Sequence, residues 1–290
     1  EDACAQFAEM VRAGAAAGAD LVFLETMTDL YELKAAILAA KENCDLPVIV
    51  TFTFDSTGKL LTGSNIPAAL LLAESLGADA VGINCSLGPE QMESFVDEML
   101  TLTNLPIVIN PNAGLPVSVN GETSYPVGPE EFYAYMERFA EKGAAILGGC
   151  CGTTEEHIAA LKAALKDAEY VRPAPECLDL LPAATEKEAF FLPADATHGA
   201  VLTADGDLED KLSDAMDDEW PMVALKLASW ADVDALADYQ YMIRKPLCLI
   251  CDDAELLEAG LRAYQGRALY EGNLTEDALA PLLEKYGLLV

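Results

Sequence analysis

Two adjacent cysteines between glycines are the feature of this sequence that most clearly suggests chemistry. Cys150 and Cys151 follow two glycines and precede a third, Gly152. The apolar run 144–147 before them predicts a short buried strand, and Thr154 predicts the start of a helix. Successive strand side chains face opposite ways, so adjacent cysteines do not both fit one core. Glycines let the backbone turn until both sulfurs face one point. The pattern indicates part of a thiolate metal site.

A third thiol stands at the end of another predicted strand. Cys85 closes the apolar segment 80–86. Three thiolates from neighbouring strand ends would offer zinc three ligands and one open position, which is typical of catalytic zinc. A free cysteine is also a common small core residue. We favour that interpretation for Cys85 taken alone, and the metal interpretation for the pair between glycines.

Three short motifs carry a resemblance to a known family. They are Gly-Ile-Asn-Cys-Ser at 82–86, Pro-Asn-Ala-Gly at 111–114 and Gly-Gly-Cys-Cys-Gly-Thr at 148–153. In order and spacing they resemble the zinc-dependent homocysteine S-methyltransferase domain, which cobalamin-dependent methionine synthase and betaine–homocysteine methyltransferase both contain. The resemblance runs from about Phe7 to Leu165.

The resemblance implies a fold and a reaction. The fold is a (β/α)₈ TIM barrel whose zinc ion is bound by Cys85, Cys150 and Cys151. The reaction is transfer of a methyl group to the thiol of L-homocysteine, giving methionine, with the zinc-bound thiolate as nucleophile. A thiolate is needed because the protonated sulfur is a poor nucleophile. Zinc deprotonates a coordinated thiol, and three protein thiolates keep electron density high on the reacting sulfur.

The same resemblance nominates residues for the substrate. Glu25, at the end of a predicted strand, would bind the amino group of homocysteine, or else is a rim carboxylate without a ligand. Asn84 and Asn112 would orient the thiolates or the substrate, or else satisfy backbone groups at strand ends. Tyr125 lies in the predicted loop 121–129 and is expected to cover the site.

Two further polar residues follow predicted strands near these motifs. Asn110 is interpreted like the other two asparagines, as an orienting side chain or a backbone partner. His157 lies one turn into the helix after the cysteines. We expect it on the helix surface rather than as a fourth metal ligand.

Apolar strands and amphipathic helices alternate through the first part of the chain, which is typical of a parallel sheet covered by helices. Each strand ends in polar residues, as at the carboxyl rim of a barrel. A closed barrel needs eight strand–helix units, and five are predicted. The resemblance to the family implies that 1–166 corresponds to strands 4–8 and that the first three units are absent, so we expect the chain to be a fragment of a longer gene product. The predicted strands and their following helices are 21–26 with 29–42, 48–54 with 67–76, 80–86 with 89–101, 107–112 with 129–142, and 144–149 with 154–166.

The remainder of the chain predicts a linker and a second, smaller region. Segment 167–187 holds three prolines and weak periodicity, so it is interpreted as a linker. Segment 188–290 returns to strand–helix alternation and predicts an α/β lobe. Its stretch 245–269 is weakly similar to the early strands of the pterin-binding barrel, but folate-site signatures are missing. We expect a degenerate or truncated lobe with a structural role.

Two pairs in this lobe resemble functional motifs. Cys248 and Cys251 are spaced as C-x-x-C, but they fall on a predicted strand interior, so we expect no redox role. Asp252 and Asp253 precede a predicted helix and are interpreted as a cap rather than a metal site, because carboxylates are favoured there.

Composition excludes several classes of protein. The net charge of −32 argues against nucleic-acid binding and against anionic membrane surfaces. No apolar run reaches the roughly 18 residues of a spanning helix. The eight cysteines are too sparse for a disulfide scaffold, which favours the cytoplasm. Cys4, Cys44 and Cys177 are interpreted as incidental.

The methyl donor and the alternatives stay open at this point. The 290 residues contain no cobalamin-binding Asp-x-His-x-x-Gly motif, so methylcobalamin would arrive on a corrinoid protein or another domain. S-methylmethionine and betaine are other possible donors. The rival hypotheses are a non-catalytic scaffold, a partner subunit of a corrinoid methyltransferase system, and methyl transfer involving a different thiol or a methylated amine.

Overall fold

A computed structural model describes residues 2–167, 170 and 180–290. Contacts between Cα atoms divide the chain into two compact units. One unit comprises Glu1–Leu70 with Ala78–Glu176, and the other comprises Leu71–Gly77 with Cys177–Val290. Cys177 and most of the predicted linker lie outside the described residues.

Helices and strands alternate from residue 2 to residue 164. Apart from a short hairpin, β5–β6, they follow the predicted order. They are α1 Asp2–Ala16, β1 Val22–Met27, α2 Leu30–Asn43, β2 Val48–Phe52, α3 Ile66–Ser75, β3 Ala80–Asn84, α4 Pro89–Leu102, β4 Ile107–Asn110, β5 Val117–Val119, β6 Glu122–Ser124, α5 Pro129–Lys142, β7 Ile146–Leu147 and α6 Glu155–Ala164.

Five of these strands form one sheet, in the order β1-β2-β3-β4-β7, and every neighbouring pair is parallel. All residues of β3 and β4 are buried, as expected of a parallel sheet covered on both faces. Gly82 is required in β3 because a Cβ there would lie 1.9 Å from the carbonyl oxygen of Val108. The predicted α/β class with a parallel sheet is confirmed. The edge strands of this sheet are β1 and β7, and they do not pair with each other. The eight-stranded barrel therefore stays a prediction.

The second unit contains a parallel sheet of four strands and a separate antiparallel hairpin. The sheet order is β10-β11-β12-β13, and the hairpin pairs β8 with β9. The elements are β8 Leu180–Ala184, β9 Ala189–Pro193, β10 Val201–Thr203, α7 Leu208–Asp217, β11 Val223–Lys226, α8 Trp230–Tyr239, β12 Leu247–Ile250, α9 Ala254–Ala263, β13 Leu269–Glu271 and α10 Glu276–Tyr286.

Two of these strands differ from the sequence-based assignment. β8 lies inside the segment 167–187, which was predicted to be a linker. It is a strand because its residues pair along the whole length of β9. Pro182 is compatible with this strand because an edge strand does not need every amide as a donor. The short strand β10 was not predicted at all. The predicted likeness of this lobe to a pterin-binding barrel stays a prediction.

The start of α9 follows the sequence prediction. Asp253 is its N-cap, and its carboxylate accepts hydrogen bonds from the amides of Glu255 and Leu256 at 2.9 and 3.1 Å. Asp252 instead accepts from the amide of Asn273 at 2.8 Å. The cap interpretation of this acidic pair is confirmed for Asp253. Within the described part of the chain, no helix has both the length and the apolar character needed to cross a bilayer.

Candidate metal centre

Three cysteine sulfurs meet at the carboxyl end of the five-stranded sheet, where Cys85 follows β3 and the other two follow β7. The Cys85 and Cys151 sulfurs are 3.8 Å apart, and those of Cys150 and Cys151 are 4.0 Å apart. All three lie within 4.8 Å of one another. Sulfurs about 2.3 Å from a tetrahedral zinc ion are about 3.8 Å from each other, so this set fits zinc with little movement. The structure thus brings together the three cysteines that the sequence nominated.

An unusual backbone conformation directs Cys85. β3 ends at Asn84, and both Cys85 (φ 60°) and Ser86 (φ 57°) adopt the left-handed region. The predicted strand 80–86 was therefore two residues too long. Left-handed residues other than glycine cost about 1–3 kcal/mol each and persist only where surrounding contacts hold them. Here the Cys85 amide donates to the carbonyl of Asn110 at 3.1 Å, and the Leu87 amide donates to the carbonyl of Cys85 at 2.7 Å.

The loop of the cysteine pair is held by the chain that follows β4. β7 spans only Ile146–Leu147 rather than the predicted 144–149. The turn lies at the cysteines themselves, where the Thr153 amide donates to the carbonyl of Cys150 at 3.2 Å. The Cys150 amide donates to the carbonyl of Pro111 at 2.8 Å. The Cys151 amide donates to the side-chain oxygen of Asn112 at 3.0 Å. Gly152, with φ of 79°, completes the turn in a conformation that favours glycine.

Asn84 links the first strand to the cysteines. Its side chain is fully buried, accepts from the Thr26 amide at 3.1 Å and donates to the Thr26 hydroxyl at 2.8 Å. The same amide nitrogen lies 4.0 Å from the sulfur of Cys150. Sequence reasoning gave Thr26 no role, although it stands among the polar residues at the end of the first predicted strand. It holds Asn84 in place.

The other two asparagines support the loops. Asn112 is buried, and its side chain accepts from the Cys151 amide. Its backbone amide donates to the carbonyl of Leu87 at 3.0 Å. Asn110 is also buried, and its side-chain oxygen would lie 2.6 Å from a Cβ at Gly148. That close approach explains the glycine. Both asparagines position the cysteine-bearing backbone.

Tyr125 lies against the cysteine loop, directly after β6. A Cβ at Gly152 would lie 2.3–2.5 Å from Tyr125 atoms, so the tyrosine packs on the bare glycine backbone. Burial raises the pKa of Tyr125, and so does the contact of its hydroxyl with Cys151. Its position is compatible with the predicted cover over the site.

Glu25 is exposed and lies in β1, one residue before Thr26. Thr26 contacts Asn84, so Glu25 belongs to the strand end nearest the cysteines. Its pairing with a substrate amino group stays a prediction.

His157 does not lie on the helix surface, and that prediction was wrong. The residue is 6% exposed. Its Nδ1 is 3.0 Å from the Thr154 hydroxyl, and its Nε2 donates to the carbonyl of Val127 at 3.0 Å. The ring also packs edge-on against Phe132, with centroids 5.4 Å apart. Among the described residues, His157 is not part of the three-sulfur group.

The electrostatic interactions among these three thiols favour the binding of a cation. Burial, the contact with Cys85 and the charges of Cys85 and Cys151 together raise the pKa of the Cys150 thiol to about 12. Clustered thiolates repel each other unless a positive charge lies among them. The donor set is therefore suited to a thiophilic divalent ion.

Several known proteins are similar to this chain. Residues 1–165 match the family model described as homocysteine S-methyltransferase. The methionine synthases of Mycobacterium leprae and Mycobacterium tuberculosis are 41% and 40% identical to this chain over 154 residues. The alignments cover 51% of this chain but only 13% of the length of each relative. The apo structure of the homocysteine methyltransferase MmuM from Escherichia coli is 28% identical, with a TM-score of 0.45, and the match covers 55% of this chain and 56% of that one.

Proposed function

This chain belongs to the homocysteine S-methyltransferase family, and on that premise we propose that it transfers a methyl group to the thiol of L-homocysteine, giving methionine. The observation that carries the proposal is the set of three sulfurs within 4.8 Å of one another at the carboxyl end of a parallel sheet. We assign Cys85, Cys150 and Cys151 as the ligands of one zinc ion. Three protein ligands leave a tetrahedral ion one position for the substrate thiol.

The chain's own residues account for the reactivity of the site. A free thiol with a pKa near 8.5 is only a few per cent ionised at neutral pH. Zinc, when bound, would supply the positive charge that holds the substrate sulfur as a thiolate. The three cysteine thiolates offset that charge, so the substrate sulfur keeps its electron density. All three are at least partly exposed, so the substrate can reach them from solvent.

The surrounding side chains position the sulfurs and the substrate. Asn84 and Asn112 hold the two cysteine-bearing segments through the bonds to Thr26 and to the Cys151 amide. We assign Tyr125, which packs on the Gly152 backbone, as a partial cover that leaves the three cysteines at least partly exposed. Glu25, an exposed carboxylate beside Thr26, is assigned to the substrate amino group.

The methyl group is proposed to arrive as methylcobalamin on a corrinoid protein or domain. The name of the two relatives, methionine synthase, supports methionine as the product. The exposure of the cysteine loop supports delivery by a separate protein surface. All seven cysteines in the described ranges are free, which supports a reducing compartment such as the cytoplasm.

Zinc analysis of two cysteine variants tests the proposal. We expect Cys151→Ala to hold one equivalent of zinc less than the parent chain and to lose the proton release that follows addition of L-homocysteine. Cys251→Ala is the matched control, because that thiol is buried in the second unit and should change neither.

Two outcomes would contradict the proposal. Equal zinc content in both variants would remove the metal assignment. A zinc-loaded chain that neither binds L-homocysteine nor methylates it from methylcobalamin would favour a non-catalytic scaffold or partner subunit instead.

A further inference from the structure

We propose a second metal site, in the C-terminal unit, formed by His198, Cys248 and Glu271. The ligand atoms of these three side chains lie within 4.8 Å of one another. One imidazole, one thiol and one carboxylate form a donor set that suits a divalent transition ion such as zinc or cobalt. The site goes beyond methyl transfer, since all three residues belong to the second unit and none belongs to the three-sulfur group.

The sheet register explains why the thiol and the carboxylate meet. In the parallel pair β12–β13, Cys248 is opposite Leu269 and Ile250 is opposite Glu271. Residues two apart on a strand face the same side, so Cys248 and Glu271 share one face of the sheet. The spacing C-x-x-C drew attention to Cys251, whereas the partners of Cys248 come from a neighbouring strand and from a loop.

His198 reaches this face from the loop between β9 and β10. Its Nδ1 donates to the carbonyl of Gly199 at 2.8 Å, and its Nε2 lies 2.8 Å from a carboxylate oxygen of Glu271. A carbonyl can only accept, so Nδ1 carries hydrogen and Nε2 faces the carboxylate. Metal-bound histidines are commonly oriented in this way, by a bond from the other ring nitrogen to a carbonyl. Two acceptors therefore face the ring, and a cation at Nε2, either a proton or a metal ion, would lie between the imidazole and the Glu271 carboxylate.

The turn that carries His198 is held in place by packing. A Cβ at Gly199 would lie 2.5 Å from the ring of Trp220, so the indole packs against the glycine backbone. This contact fixes the carbonyl that orients the imidazole.

One side of the site is buried and the other is exposed to solvent. Cys248 is 4% exposed within an apolar cluster that includes Met222 and Leu269. The side chain of Glu271 is 63% exposed. An ion bound here would be shielded on the sulfur side, and its remaining coordination position would face solvent. On binding, the ion takes the place of the thiol proton of Cys248 and of the proton at His198 Nε2, and both protons leave to solvent.

Cobalt binding in a chain without the first site tests this inference. The full chain carrying Cys85→Ala, Cys150→Ala and Cys151→Ala is titrated with Co²⁺ alone. We expect one equivalent to bind, with near-ultraviolet absorption from sulfur-to-cobalt charge transfer. Adding Cys248→Ala should abolish that absorption. Adding Cys251→Ala, the matched buried thiol whose sulfur donates to the carbonyl of Asp253 at 3.2 Å, should preserve it.

A second variant guards against loss of folding in the core. Glu271→Gln changes an exposed side chain, and it should lower the Co²⁺ affinity at least about tenfold, since even outer partners of metal ligands contribute that much. The far-ultraviolet circular dichroism should stay unchanged. Any one of three results would overturn the inference. They are a folded triple variant that binds no cobalt, charge-transfer absorption that survives Cys248→Ala, and a Co²⁺ affinity that is unchanged in Glu271→Gln. These outcomes are independent of methyl transfer, because the first site is absent from every chain tested.

Discussion

Replacing Asn112 by alanine tests whether the chain around the cysteines is built to hold a metal. The Asn112 side chain accepts the amide hydrogen of Cys151 at 3.0 Å and is 3% exposed. Its backbone bond to Leu87 survives the substitution. The loss is therefore one buried acceptor, which leaves a donor unsatisfied at a cost of about 1–3 kcal/mol. If the lost bond destabilises the conformation in which the cysteine loop binds metal, zinc affinity drops by about 10- to 100-fold, the range typical of partners that orient a ligand.

Zinc affinity is measured by competition with a chromogenic chelator, and the free energy of unfolding by urea titration in the presence of a strong chelator. Asn43→Ala is the matched control. It removes an amide that donates to the carbonyl of Ala39 in α2, and we expect no change in zinc affinity. The reasoning is refuted if Asn112→Ala destabilises the metal-free chain while its zinc affinity stays within about twofold of the parent, because the bond would then support only the fold.

Two further predictions concern the scaffold. Gly82→Ala should lower the free energy of unfolding, measured by urea titration, by about 3 kcal/mol, because its Cβ would lie 1.9 Å from a carbonyl oxygen of the next strand. Gly14→Ala is the control. No atom lies within 4 Å of its added Cβ, so it should not destabilise the chain in the same titration. Burial raises the pKa of Asp79, but hydrogen bonds from Lys41 and from the Val48 amide outweigh it and hold that pKa below its ordinary value. The stabilisation by Asp79 is therefore present above about pH 4, the ordinary range of an aspartate, and is lost as the pH falls through the depressed value. Asp79→Asn should cost up to about 1 kcal/mol at pH 7 and less near pH 3, and an equal cost at both would contradict the reasoning.

Local pattern was sufficient to find the strands of the five-stranded sheet and the metal-binding candidates. The apolar runs of β2, β3 and β4 are long enough to be recognised as buried strands, and the polar residues after them mark the edge where the sheet ends. Cys150 and Cys151 stood out because adjacent cysteines between glycines suit a turn better than a strand. The convergence of sulfurs after β3 and β7 follows from parallel pairing across β4.

Features that depend on distant partners were not predictable in this way. The burial of His157 depends on Val127 and Phe132, which the helical pattern of α6 does not reveal. The left-handed conformation of Cys85 depends on a bond to Asn110 on the next strand. The strand β8 forms only because β9 pairs with it.

One overlooked element did have a local signal. The hairpin of β5 and β6 is exposed throughout and shows no alternation of burial. Its turn is Asn120-Gly121, with φ of 55° and 84°. That dipeptide is a strong hairpin signal, because both residues tolerate positive φ.

Zinc-edge X-ray absorption with and without L-homocysteine tests the central claim most directly. The measurement is made on the Cys248→Ala chain, which keeps the three-sulfur group and removes the sulfur of the second proposed site. The account predicts three sulfurs at about 2.3 Å from zinc, rising to four when L-homocysteine is added. A coordination shell of nitrogen and oxygen, or one that stays at three sulfurs in saturating L-homocysteine, would contradict it.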